Sequence, residues 1–342
     1  MIRIGVLGTA NIAFRRMIPA IKKTAGIEYA GVAVAAPSEW TEAVEDEEGF
    51  RAAKLKKAQG FAEAFGGKVY EGYEELLKDT SIDAVYIPLP PSHHEEWSRK
   101  AISYGKHILV EKPFTLSEKA TRDIADSAME KGLAFCENYG FVIHPQFAAM
   151  KKILEEGRIG EFRLMRSMFS FPFRDASDFR YKKEYGGGAL LDCGGYVIRA
   201  AEALFGDGLT LKSAVLHDSD TYGVDIYGDA TFETPDGKTA QLSFGMDNAY
   251  SCQIELFGST GMVSSPRAFT APGDFAVKLS LNDKGNSEII EIEPFDQFAA
   301  VVERFIGLVE NVEGREAVRD ELVRHAALVD EVMKKAERFA CK

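Results

Sequence analysis

The chain has no C-x-x-C pair: its four cysteines, Cys136, Cys193, Cys252 and Cys341, stand far apart. Such spacing fits neither a zinc ribbon nor a disulfide framework, and the thiols are read as reduced packing residues. Long apolar runs are missing too, so no stretch reaches the length a membrane helix needs. Met1-Ile2-Arg3 leads straight into a strand-like segment without the pattern of a secretory leader, and the expected location is the cytoplasm. Positive charge is scarce, with 41 basic against 53 acidic side chains and a net charge of -12. That balance opposes the phosphate attraction on which nucleic-acid binding depends, which leaves a small molecule as the expected ligand. His93 and His94 beside Glu95 and Glu96 lack the H-E-x-x-H spacing and a third ligand, so no metal is expected.

What is present is a chain of 342 residues, 46% hydrophobic, long enough for two domains with separate cores. Its first part alternates strand-like runs (IRIGVLG, EYAGVAVAA, KVYEGY, DAVYIPLP, HILVEKP, LAFCENY) with helical ones beginning near Asn11, His94 and Ser117. Short apolar strands separated by amphipathic helices specify a doubly wound parallel sheet, here an α/β Rossmann-type domain over 1–137. From 138 to 342 the texture changes to alternating runs such as RLMRSMFSF, AQLSFGM and SCQIELFG, the pattern of an α+β domain with a large, mostly antiparallel sheet. A helix pair from about Phe298 closes the chain and is free to pack back on the first domain. The segment 37–60 reads as a solvated helix of mixed charge decorating the surface.

The first strand runs into Gly5-Val-Leu-Gly-Thr-Ala-Asn-Ile-Ala13, a dinucleotide-binding turn in which Gly8, Ala10 and Ala13 fill the glycine slots of G-x-G-x-x-G. Gly8 makes the tight turn, and alanine is accepted at the third slot. Ala10 is the departure, because its methyl group stands where the backbone approaches a pyrophosphate. The helix start beyond it still favours an anion. At the end of the second strand, Ala35-Ala36-Pro37-Ser38 offers no acid for a ribose 2'-hydroxyl. Ser38, with Arg15 or Arg16, is suited to a 2'-phosphate, while Glu39 keeps NAD open beside NADP.

These stretches, together with PLPPSHHEEW, Glu111-Lys112-Pro113, Glu137-Asn138-Tyr139 and FRYKKEYGGGALLDCGGY, resemble the glucose-fructose oxidoreductase/inositol dehydrogenase (Gfo/Idh/MocA) family over nearly the whole chain. The wording is most similar to its NADP-dependent sugar 3-ketoreductases of deoxysugar biosynthesis. The resemblance implies hydride transfer between a nicotinamide cofactor and a sugar carbon, with Lys112, Asp192 and Tyr196 around the reacting oxygen. It implies a cofactor cradle of Gly8, Thr9, Ala10, Asn11, Ile12, Ser38, Pro88, Leu89, His94, Glu111, Lys112 and Asn138, with His94 near the nicotinamide end. It also implies a cis bond at Lys112-Pro113, sugar or phosphate contacts from Arg180 and Tyr181, and a homo-oligomer, dimer or tetramer, formed through the second domain's sheet. Position 196 is histidine in many members, and a tyrosine there resembles the subgroup that uses NADP.

The chemistry suits these residue types. A carbonyl that accepts hydride becomes an alkoxide and needs a proton donor and nearby positive charge. Tyr196 is a donor, and Lys112 stabilises negative charge on either oxygen. Asp192, four residues before Tyr196 and so on the same helix face, is placed to orient the lysine or to bind a sugar hydroxyl. The expected substrate is a keto sugar, free or carried on a nucleotide diphosphate. The alternatives are an aldose 1-dehydrogenase acting on a free sugar and a cofactor-binding regulator without turnover.

Overall fold

The computed structural model describes residues 1–40 and 45–341. Two compact units form, one from Met1–Asn138 and Phe298–Val323, the other from Tyr139–Gln297 and Arg324–Lys342.

The first unit is built on six parallel strands: β1 (Ile2–Leu7), β2 (Ile27–Ala33), β3 (Lys68–Tyr70), β4 (Ala84–Ile87), β5 (His107–Val110) and β6 (Phe135–Glu137). Their order is β3-β2-β1-β4-β5-β6, the doubly wound Rossmann arrangement, with the direction of winding reversing between β1 and β4. All four residues of β4, Ala-Val-Tyr-Ile, are buried, as a strand covered by helices on both faces requires. Between the strands run α1 (Ile18–Lys23), α2 (Glu47–Phe65), α3 (Tyr73–Lys78), α4 (His94–Ser103) and α5 (Glu118–Glu130). In α4 the buried residues His94, Trp97, Ser98, Ala101 and Ile102 follow the helical period, and Ser117 caps α5 by accepting from the Ala120 amide at 3.2 Å. Of the segment 37–60, residues 41–44 lie outside the described residues, and its helix starts at Glu47 behind an Asp46 cap.

The helices α6 (Pro145–Glu155) and α7 (Gly195–Phe205) are followed later in the chain by α8 (Gln297–Glu310) and α9 (Gly314–Lys335). The part of the pair that joins the first unit is tied to it by polar contacts: Arg319 donates to Asp126 of α5 at 2.7 Å, and Arg315 to the Gly132 carbonyl at 2.6 Å.

The second unit carries a nine-stranded sheet from β7 (Phe162–Phe171), β8 (Thr210–Ser219), β9 (Asp225–Glu233), β10 (Thr239–Met246), β11 (Ser251–Gly258), β12 (Gly261–Ser265), β13 (Val277–Asp283), β14 (Asn286–Ile292) and β15 (Glu337–Cys341). Neighbours are antiparallel except at β7·β10 and β8·β15. The last strand corrects the expectation of a helical ending. Its residues are mostly exposed, so it shows no alternation of apolar and polar positions, and only the β8 edge makes it a strand. The core sits between the sheet and α7, where Leu190, Val197, Ile198 and Ala201 meet Leu242, Phe244 and Ile254.

Two turns of π-helix interrupt this regularity, Ala13–Met17 and Leu190–Gly194. Wide turns of this kind cluster at functional sites; the first begins at the last residue of the dinucleotide turn, and the second lies inside FRYKKEYGGGALLDCGGY. Asp192 therefore lies in a π turn while Tyr196 lies in the first turn of α7, so their four-residue spacing is not the simple α-helical one expected.

Candidate active site

In a parallel sheet every strand ends on the same edge, and five of the sequence motifs lie there: Gly8 after β1, Ser38 after β2, Pro88 and Leu89 after β4, Glu111 and Lys112 after β5, Asn138 after β6. Gly8 has φ +94°, and a side chain added to it would come within 2.8 Å of Leu89 Cδ2, so the β1 and β4 loops touch where the winding reverses. Thr9, Ala10, Asn11 and Ile12 lead from it into the π turn, whose start has no side-chain cap. The helix itself starts at Asn11 and runs through this π turn, and the Phe14 amide donates back to the Ala10 carbonyl at 3.2 Å.

The Lys112 segment is fastened by buried groups. Glu111 accepts hydrogen bonds from the Tyr86 hydroxyl and from Asn138 Nδ2, the latter at 2.6 Å, and burial raises its pKa. Glu137 accepts from the Phe114 amide at 2.6 Å. His94 is fully buried, with Nδ1 at 2.7 Å from the Pro113 carbonyl and Nε2 at 2.7 Å from the Leu89 carbonyl. Burial pulls its pKa down to about 4, against the pull of the two carbonyls. Both ring nitrogens are committed to the protein, so His94 ties the β4 loop to the Lys112 loop. Glu111 and Asn138 are likewise turned to each other. The Lys112-Pro113 peptide is cis, as the resemblance implied.

At the end of β2, Glu39 is occupied. Its carboxylate accepts from the amides of Ala36 and Tyr73 at 2.8 Å and of Glu74 at 2.9 Å, closing the start of α3. Beside it Val34, Ala35, Ala36, Arg51, Leu55 and Glu71 line a small open cleft. Ser38, Arg15 and Arg16 are exposed, and among the described residues that line this cleft the cation is Arg51. Sequence reasoning missed it inside a segment read as decoration. The available signal was an arginine one turn into the helix that follows β2.

In the second unit Arg180 Nε donates to Asp192 Oδ2 at 2.7 Å, and its Nη1 to Asp178 at 3.1 Å. The two carboxylates push the guanidinium pKa up against its burial, so the arginine is charged and its charge is spent within the protein. Tyr181 is 2% exposed, packs against Phe173 and Tyr222, and accepts from the Arg174 amide at 3.1 Å. Asp225 caps the other side of the π turn by accepting from the Leu190 amide at 2.6 Å, and burial raises its pKa to about 6.

Tyr196 is half-buried, its ring held by Tyr139 at 5.0 Å, Phe169 at 4.9 Å, Phe141 at 5.4 Å and Phe269 at 5.9 Å. Four aromatic walls fix the orientation of the ring. A side chain at Gly195 would overlap the Tyr139 hydroxyl, which explains why the residue before Tyr196 has none.

Residues 2–139 match the family described as an oxidoreductase family with an NAD-binding Rossmann fold, and residues 147–264 match the GFO/IDH/MocA C-terminal domain. The dTDP-3,4-didehydro-2,6-dideoxy-alpha-D-glucose 3-reductase of Actinomadura kijaniata is 37% identical over 97% of this chain and 94% of its own. A D-xylose 1-dehydrogenase (NADP(+)) of Haloferax volcanii is 30% identical over 98% of both chains. Among solved structures, the 3-ketoreductase KijD10 of Actinomadura kijaniata, in complex with NADP and TDP-benzene, superimposes with a TM-score of 0.92 at 36% identity, covering 100% of this chain and 99% of that one.

Proposed function

Since this chain belongs to the GFO/IDH/MocA oxidoreductase family, we propose that it reduces the carbonyl of a keto sugar carried on a nucleoside diphosphate, using NADPH. The observation that carries this reading is the end-to-end likeness to a ketoreductase that holds NADP and a TDP compound. This chain's own residues fit such a cofactor: the bare turn at Gly8, the helix that starts at Asn11 just after it, and a strand tip that offers Arg51 in place of a free acid.

NADPH, when bound, supplies the hydride. As the sugar oxygen gains negative charge, Tyr196 gives it a proton and Lys112 stabilises the charge. Asp192, held by Arg180, accepts a hydrogen bond from a sugar hydroxyl and orients the substrate. Glu137 and His94 keep the Lys112 segment in place, acting through backbone groups. Self-association through the second sheet is supported by the exposed rings of Tyr227, Tyr250 and Phe339 on its strands or their edges.

The likeness to the xylose dehydrogenase favours a second reading, oxidation of a free aldose with NADP. Loss of NADPH absorbance on adding a dTDP-linked 3-keto sugar tests the first reading. Turnover confined to free aldoses with NADP would replace it with the second. Cofactor binding without turnover on either substrate class would point to the regulator.

A further inference from the structure

Tyr139 stands edge-on to Tyr196, with ring centroids 5.0 Å apart at 86°, and His325 stands edge-on to Tyr139 at 5.3 Å and 84°. His325, on α9, is buried, and its Nδ1 lies 2.7 Å from Glu202 Oε2. Glu202, on α7, also faces Arg324 at 3.3 Å and Arg199 at 3.6 Å, and Arg324 reaches on to Asp207 at 2.9 Å. A carboxylate accepts, so Nδ1 is the nitrogen that donates, and in the neutral ring Nε2 is left as an acceptor. That Nε2 is buried and has no hydrogen-bond partner among the described residues. Buried polar atoms are nearly always satisfied, and an exception calls for a use.

The surroundings of this nitrogen indicate one. Nε2 lies 3.6 Å from the place a Cβ of residue 195 would take, and the Tyr139 hydroxyl lies 2.2 Å from it. An acceptor and a phenol therefore converge on the bare α-carbon that precedes Tyr196.

We propose that His325 is a positioning residue for Tyr196, acting through Tyr139. The inference rests on the reading of Tyr196 as proton donor. Glu202 fixes the tautomer and direction of the imidazole. The imidazole backs the Tyr139 ring and presents Nε2 beside its hydroxyl, and Tyr139 forms one wall of the Tyr196 cage. Stability alone does not call for the histidine, because Arg199 and Arg324 still balance Glu202 without it.

The test compares His325→Asn, which keeps a donor near the Nδ1 position and removes the atom at Nε2, with His325→Gln, which returns a polar group near Nε2. His325→Asn is expected to lower kcat about tenfold, with KM for the keto sugar and the Kd of NADPH within about twofold of wild type. His325→Gln should recover part of the loss. Tyr139→Phe, which removes only the hydroxyl, should lower kcat similarly, and the double variant should lose less than the product of the two. A wild-type kcat in His325→Asn, with hydride transfer shown to be rate-limiting by deuterated NADPH, overturns the proposal. So does full multiplicativity in the double variant. If circular dichroism shows His325→Asn to be unfolded, the same criteria apply to His325→Gln and Tyr139→Phe. The Tyr196→Phe control separates the two levels: if it keeps kcat, the assignment of the donor fails, whatever His325 does.

Discussion

Arg180 and Asp192 form a largely buried ion pair, Nε to Oδ2 at 2.7 Å, with side chains 18% and 10% exposed. The arginine expected to meet substrate holds an aspartate that carries the same expectation. Its second carboxylate, Asp178, completes its neutralisation.

Arg180→Ala leaves Asp192 buried without its partner, a change that costs on the order of 3 kcal/mol in comparable pairs. Urea unfolding should show this loss, and KM for the sugar should rise as Asp192 loses its orientation. NADPH affinity, measured by fluorescence titration, should stay near wild type. A collapse of cofactor binding with the fold intact would count against a substrate role for this cluster.

Arg51 is predicted to recognise the 2'-phosphate that separates NADPH from NADH. A charge-assisted hydrogen bond to such a group is worth about 1.5–3 kcal/mol, so Arg51→Ala should weaken NADPH binding roughly tenfold or more and leave NADH unchanged. Ser38→Asp should weaken NADPH by like-charge repulsion. Equal effects on both cofactors would place the phosphate elsewhere.

Tyr196→Phe keeps the ring in its cage and removes the donor. Loss of a general acid should lower kcat about a hundredfold or more, with NADPH affinity little changed. Lys112→Ala should be similarly damaging, and the pair together should cost less than the product of the separate losses. Stopped-flow measurement of the hydride step checks both.

Asp225 sets a pH dependence of stability. Burial raises its folded-state pKa to about 6, above the unfolded value, so the fold favours the protonated acid. The stability this gives is present below about pH 4 and is lost as pH rises through 6. Asp225→Asn stays neutral throughout, so between pH 4 and 8 its stability relative to wild type should rise by up to about 3 kcal/mol. Urea unfolding at the two ends of that window measures the difference, and a flat difference would mean that the ionised form is not disfavoured in the fold.

Much of the cofactor half was legible because its signals are local. Apolar runs such as AVYI can only be strands covered on both faces, Ser117 announces α5, and Gly8 is required by a backbone angle. Once the strands are known to be parallel, their loops must share one edge, and Gly8, Leu89, Lys112 and Asn138 come together by topology alone. By itself, then, the sequence determined the sheet, the edge that carries the motifs, and the residue types suited to hydride chemistry.

What the tertiary structure decided is where the side chains spend their polar groups. No spacing shows that His94 gives both nitrogens to the carbonyls of two loops, that Glu39 is taken by the start of α3, or that Arg180 is neutralised by Asp178 and Asp192. Such pairings join residues from 2 to 35 positions apart, and their partners are fixed only when separate elements pack. The pair His325 and Glu202, 123 positions apart, likewise leaves no trace in either local pattern. A buried polar group must find a partner or be given a use, and which of the two it meets depends on the packed chain rather than on its neighbours in sequence.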